Sequence, residues 1–93
     1  MSYNVMHEPE QNRFVSVVNG HETYLQYSRR SDGVLSYDHT FSPEAVRGRG
    51  IAGAVVNSAL RWARESGYKI VPECWFVAAF IGKHPEYRDL VAE

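Results

Sequence analysis

The pattern of hydrophobic and polar positions along this 93-residue chain changes period near its middle. In the front half, RFVSVV (13–18) and HETYLQYSRR (21–30) read as strands on either side of Asn19-Gly20. That dipeptide is the strongest short hairpin signal, because a type I′ turn needs two residues that tolerate positive φ. Ser31-Asp32-Gly33 punctuates again. VLSYDHTF (34–41) then alternates Leu35, Tyr37, His39 and Phe41 with Val34, Ser36, Asp38 and Thr40, which would set the first four on one face of a strand. A three-stranded antiparallel meander is expected, and residues 1–12, with little pattern, read as a loose lead-in.

After Pro43 the spacing becomes helical. Ile51, Ala52, Val55, Val56, Ala59, Leu60 and Ala63 build one apolar face, while Asn57, Ser58, Arg61, Arg64 and Glu65 line the other. Gly67 stands where a helix ends in the left-handed conformation, YKIVP resumes as a short strand, and VAAFIGKH forms a short apolar helix stopping at or before His84-Pro85. The order β-β-β-loop-α-β-α predicts an α+β (mixed α/β) fold, a meander followed by loop-helix-strand-helix, in one domain over residues 1–93.

Composition narrows the function. Ten Lys and Arg against eleven Asp and Glu give a net charge of -1, no electrostatic footprint for a nucleic acid. No apolar run has the length of a membrane span, and MSYNVMHEPEQNR is unlike a signal peptide, so a cytoplasmic protein without a membrane partner is expected. Cys74 is the sole cysteine and no His/Asp/Glu spacing suits zinc, so neither a disulfide nor a metal is expected.

The candidate chemistry lies in RGRGIAG (47–53). Gly48-Arg49-Gly50-Ile51-Ala52-Gly53 spells the G-x-G-x-x-G dinucleotide turn, with Glu73 about 20 residues further on. That turn directly follows a buried apolar parallel strand within repeated βαβ units. Here the preceding strand is half polar, Pro43 and Glu44 intervene, and one βα unit follows three antiparallel strands. Beside the bland alternative, in which the glycines only shape a tight loop and the arginines are solvated, the physics common to both motif readings is phosphate recognition. Gly48 and Gly50 let the backbone approach a ligand, a helix starting near Ile51 aims unpaired N–H groups at it, and Arg47 and Arg49 add charge.

The wider segment HTFSPEAVRGRGIAGAVVNSALRWARESGYKIVPECWFVAAFIGKHPEY resembles the small single-domain GNAT-like acetyltransferases. Their pattern runs H-T-x-V-P-x-x-x-R-G-x-G-I-A, a helix, a strand ending V-P-x-C-x-[FY]-[AV], a short helix and H-P-E-Y. The resemblance covers Tyr37 to Val91, and in its frame Arg47-x-x-Gly50-x-Ala52 is the R/Q-x-x-G-x-G/A pyrophosphate loop. It implies a trimmed GNAT-like fold that binds acetyl-CoA or coenzyme A. The pyrophosphate would lie on the amides of Arg47, Gly48, Arg49, Gly50, Ile51 and Ala52, the pantetheine arm along His39, Thr40 and Phe41, with Phe76 lining the pocket. Two residues depart from the pattern: Phe41 stands where relatives often carry an acid, and Ser42 where they carry Val. The chain is also too short for the extra helices that help build the acceptor pocket in full-length enzymes.

The resemblance further implies that Cys74 lies by the acetyl group. Its thiolate could carry the acetyl to an amine, or the amine could attack acetyl-CoA directly with Cys74 lining the pocket or returning a proton. From its position alone Cys74 reads first as a small buried hydrophobe, the commonest fate of a free cysteine, and the resemblance brings the two readings level. His39 is the candidate partner, read as sharing a face with Tyr37 and Phe41. His84 reads as a helix-terminus residue, His7 and His21 as lead-in and turn. Tyr24, Tyr27, Tyr37, Trp62, Trp75 and Phe76 read as core and pocket lining, with Trp75 packed under the short helix. The expected function is acetyl-CoA-dependent N-acetyl transfer to an amine on a small molecule or peptide. The alternatives are a CoA-binding regulatory module with little catalysis and, with less support, a small interaction domain. Monomer and homodimer stay open.

Overall fold

The computed structural model describes residues 3–92. Asn19 and Gly20 take φ of 53° and 78°, the paired left-handed conformations that the tight turn needs, and join β2 (Arg13–Val18) to β3 (His21–Ser31). A second turn leads into β4 (Val34–Phe41). These three strands are the centre of a larger sheet, with β1 (Met6–Glu8) on one edge and β5 (Lys69–Val71) on the other, in the order β1-β2-β3-β4-β5. Successive pairs are antiparallel except β4 and β5, which run parallel and are connected through α1 (Ile51–Ser66). Then α2 (Trp75–Lys83) and a 3-10 segment, Pro85–Leu90, complete an α+β fold.

Strand β1 and the turn after it give Met6 to Gln11 a fixed place where a loose lead-in over 1–12 is expected, residues 1–2 lying outside the described residues. Three residues are too few to display a period, and this edge strand is fixed by contacts made elsewhere in the chain. His7 stacks on Phe14 with ring centroids 4.2 Å apart, and Glu8 accepts a hydrogen bond from Arg13 Nε at 2.6 Å. A 3-10 turn, Pro9–Gln11, follows, and its Asn12 carbonyl accepts from the Tyr27 amide at 2.9 Å.

Helix α1 lies on one face of the sheet. Its buried residues Ile51, Val55, Val56, Ala59, Leu60 and Ala63 recur at the spacing read from the sequence and meet Phe14, Leu25, Tyr27, Leu35 and Tyr37. Burying each large aliphatic or aromatic side chain contributes roughly 1.5–3 kcal/mol. Gly67, at φ 81°, closes the helix, and the Tyr68 amide donates back to the Ala63 carbonyl at 2.9 Å.

A bulge in β4 overturns the expected alternation. Gln26 pairs with His39 and Tyr27 with Tyr37, so Asp38 has no opposite number on β3. The Asp38 carboxylate accepts from the Ser28 and Ser36 hydroxyls at 2.7 and 2.5 Å, which gives the extra residue its own partners. Leu35 and Tyr37 face α1. Past the bulge the parity is reversed: Thr40, opposite the fully buried Leu25, faces the helix side, while His39 and Phe41 turn to the other face beside the Tyr24 ring. Leu35, Tyr37, His39 and Phe41 therefore do not share a face.

Candidate functional site

Strands β4 and β5 pair only from Val34–Ser36 to Lys69–Val71. Pro72 follows and has no N–H to continue the ladder. The last tie is the Cys74 amide, which donates to the Tyr37 carbonyl at 3.0 Å. Beyond it the two strands separate, and among the described residues no strand pairs with the 38–41 edge of β4 on this side. A cleft of about 780 Å³ opens in the gap. Its walls are the free edge of β4, the glycine loop with the start of α1, and the segment Glu73–Phe76.

The loop wall is built for close approach. Gly48 and Gly50 take φ of 81° and 79°, and a Cβ on either would meet no atom within 4 Å, so their backbone faces open space. Gly50 caps α1, whose first turn holds neither a capping side chain nor an acid. The N–H groups of Ile51 and Ala52 and the positive end of the helix dipole are therefore left for an external acceptor. Two ties hold the loop: Arg47 Nε donates to the Ser42 carbonyl at 2.8 Å, and the Tyr3 hydroxyl donates to the Arg49 carbonyl at 2.8 Å. Tyr3 sits in a polar stretch with no pattern, and nothing in the sequence marks it.

Cys74 caps α2 from the strand side and is half-buried in the cleft wall. Burial pushes its thiol pKa up, but the Thr40 hydroxyl and backbone groups of Val77, Phe76 and Thr40 outweigh that and leave it below the ordinary cysteine value. The contact is direct, with Cys74 Sγ 3.5 Å from Thr40 Oγ1. Thr40 reaches the cysteine because the bulge turns it inward. His39, which shares the cleft lining, turns instead to the opposite face of the sheet, 6.2 Å from the Tyr24 ring centroid.

The remaining candidates divide. Phe76 is half-buried against the core and lines the cleft. Trp75 does not pack under the helix: it is 78% exposed, because α2 buries the Val77 and Ile81 side and leaves Trp75 outward on the first turn. His84 caps the far end of α2, with Nδ1 2.9 Å from the Phe80 carbonyl. Glu73 pairs with Arg30 at 3.1 Å at the mouth of the cleft. Asp38 also lines that mouth. Among the described residues no group of three or more His, Cys, Asp or Glu side chains could hold a metal ion.

A glycine loop at a helix start beside two separated parallel strands is the frame of an acetyltransferase domain, and sequence comparison agrees. Residues 13–90 match the profile of the GCN5-related N-acetyltransferases, and the chain belongs to that family. It is similar to Protein NATD1 of Gallus gallus and of Homo sapiens, each 30% identical over 83 residues that span 87% of this chain and 76% and 74% of those proteins. The solution NMR structure of a GCN5-like protein from Staphylococcus aureus shares the fold, with a TM-score of 0.76 at 20% identity over 98% of this chain and 89% of that one.

Proposed function

We propose that the cleft binds acetyl-CoA and that the protein transfers its acetyl group to an amine. The observation that carries this reading is the pairing of an anion-ready glycine loop with a free strand edge in one cleft. The pyrophosphate would rest on the amides from Gly48 to Ala52, the Arg47 amide being held by the Glu44 carbonyl at 3.3 Å. The pantetheine amides would take the place of a strand along His39, Thr40 and Phe41, answering backbone groups that β5 leaves unpaired. The thioester would then reach the gap between Thr40 and Cys74.

In the reading we favour, the amine attacks the thioester carbonyl directly. The N–C bond forms, the C–S bond breaks, and the departing thiolate takes the proton that the nitrogen loses, with the Cys74 thiol as a relay. A second reading is favoured by the depressed thiol pKa of Cys74. In that route the Cys74 thiolate attacks first and the C–S bond to CoA breaks, the CoA thiolate taking a proton from solvent; the amine then attacks the Cys74 thioester, loses its proton to solvent and regenerates the Cys74 thiolate.

Calorimetry with acetyl-CoA and with CoA tests the site, and absence of binding at millimolar ligand overturns it. Intact mass after mixing with acetyl-CoA separates the two routes. An acetyl adduct on Cys74 supports the covalent one, while full activity in Cys74→Ala excludes it.

A further inference from the structure

The open face of the sheet carries an apolar row that the fold leaves uncovered. Met6, Val15, Tyr24 and Phe41 stand opposite one another across β1, β2, β3 and β4, on the side away from α1. Val15 is covered by its neighbours, but Met6 is 49% and Phe41 41% exposed, and Val17 alongside is 57% exposed. An antiparallel sheet commonly presents polar side chains to water on its second face, and isolated apolar residues there are ordinary. The row is in register across four strands, with Met6 and Val17 on one side of the covered Val15 and Tyr24 and Phe41 on the other.

This row runs into the cleft. Phe41 belongs to both, and His39 lies beside it on the same face. The bulge sends Asp38 to this side too, where its carboxylate is held by two serine hydroxyls and, among the described residues, by no cation. Nearby cations are already engaged, Arg30 by Glu73 and Arg13 by Glu8 and Glu22. The cleft is therefore two-sided: Arg47, glycines and a helix start on one wall, and the Asp38 carboxylate with Phe41 on the other, continued outside the cleft by the Tyr24 ring, whose centroid lies 5.7 Å from the Arg13 guanidinium.

We propose that the acceptor docks on this open face, and that the face selects a primary amine carried on an aromatic or apolar body. The body would lie over Tyr24 and Phe41, with the amine directed past Asp38 into the gap between Thr40 and Cys74. The proposal rests on the acetyl-transfer reading above and adds the side of approach and the acceptor class. Two arguments single out this occupant. The platform is continuous with the cleft, so a molecule bound there brings an amine to the thioester end. Asp38 supplies the charge complement to an ammonium, whereas a long polycation would leave the apolar row without a partner.

The test uses 2-phenylethylamine and spermidine as probes on the full chain. Wild-type protein is expected to acetylate 2-phenylethylamine with a KM about tenfold below that for spermidine. Tyr24→Ala should raise the 2-phenylethylamine KM about tenfold with an unaltered acetyl-CoA dissociation constant. Asp38→Asn, which keeps one acceptor oxygen and offers its NH2 to the other serine hydroxyl as an acceptor, should raise it severalfold and serves as the second variant if Tyr24→Ala melts early. NMR shifts of Tyr24 and His39 on adding 2-phenylethylamine without acetyl-CoA test the docking independently, so failure of CoA binding and failure of this proposal remain distinct. Preference for spermidine, or an amine KM indifferent to both variants, overturns it. So does a dimer in light scattering that Val17→Glu dissolves while 2-phenylethylamine leaves the Tyr24 and His39 signals unmoved.

Discussion

Cys74 Sγ lies 3.5 Å from Thr40 Oγ1, a contact that joins residues 34 positions apart across the gap between β4 and the start of α2. The thiol donates to the hydroxyl; once ionised, the sulfur accepts from it. The hydroxyl therefore favours the thiolate, together with the amides of the first turn of α2. Alkylation by iodoacetamide, followed against pH, should give a midpoint below that of a free cysteine. Thr40→Val removes the hydroxyl at nearly constant shape and should move the midpoint upward. An unchanged midpoint would show that the helix start alone sets the reactivity.

Gly50 gives the loop its sharpest test. At φ 79° with open space above it, Gly50→Val has no steric clash with the protein but takes a left-handed conformation that costs roughly 1–2 kcal/mol in a branched residue. The same side chain would stand where a phosphate approaches. Acetyl-CoA affinity should fall by tenfold or more while circular dichroism retains the helical signal. Undiminished affinity in a folded Gly50→Val protein would refute the loop assignment.

Tyr3 pins the same loop from outside, through the 2.8 Å hydrogen bond to the Arg49 carbonyl. Turning that carbonyl toward Tyr3 fixes the peptide plane, and with it the direction of the neighbouring amide. A single intramolecular hydrogen bond contributes about 1 kcal/mol, so Tyr3→Phe should weaken acetyl-CoA binding by up to about fivefold. The turnover number at saturating acetyl-CoA should stay unchanged, since nothing at the thioester end moves. A loss of turnover with intact affinity would contradict the positioning role.

Much of this frame is legible in the sequence, and the exceptions have physical causes. Asn19-Gly20 announces the hairpin because few other pairs accept two positive φ angles. Ile51 to Ala63 announces α1 because burial on one side requires the helical period. The glycines announce the tight loop ahead of α1 because a left-handed φ costs least in a residue without Cβ. Asp38 is illegible for the opposite reason. A bulge is one residue of slip between two strands, set by what lies across from it, and a strict alternation such as Leu35-Tyr37-His39-Phe41 looks the same with or without it. That single residue decides that Thr40, and not His39, meets Cys74. Trp75 lines the cleft but does not pack under α2, since which side of a nine-residue helix is buried depends on its packing and not on its composition.

Tyr37 ties sheet to helix at the centre of the core. Its hydroxyl, fully buried, donates to the Ala59 carbonyl at 2.7 Å, and burial pushes the phenol pKa far upward, so it stays a donor at any working pH. Tyr37→Phe keeps the ring packing and removes one buried hydrogen bond. The expected loss is about 1 kcal/mol, roughly 4–8 °C in Tm for a domain of this size, readable by calorimetry. A Tm within one degree of wild type would mean that the Ala59 carbonyl is satisfied by the helix alone.

His7 makes the stability of the β1 edge depend on pH. Its Nε2 lies 2.7 Å from the Tyr27 hydroxyl, and the ring is packed between Phe14 and Trp62. In the neutral tautomer with its proton on Nδ1 the Tyr27 hydroxyl donates to Nε2, and a second proton on the ring removes that acceptor. Burial lowers the His7 pKa below 6.5, with Glu10 opposing the shift. A folded pKa below the unfolded one means that the unfolded chain takes up the proton first. The stabilising contribution is complete above about pH 6.5 and is lost as the pH falls through the lower folded value. Tm should therefore drop across that acid window in the wild type, and the drop should be smaller in His7→Gln, which has no ring to protonate. Equal acid sensitivity of the two proteins would assign the effect to carboxylates elsewhere.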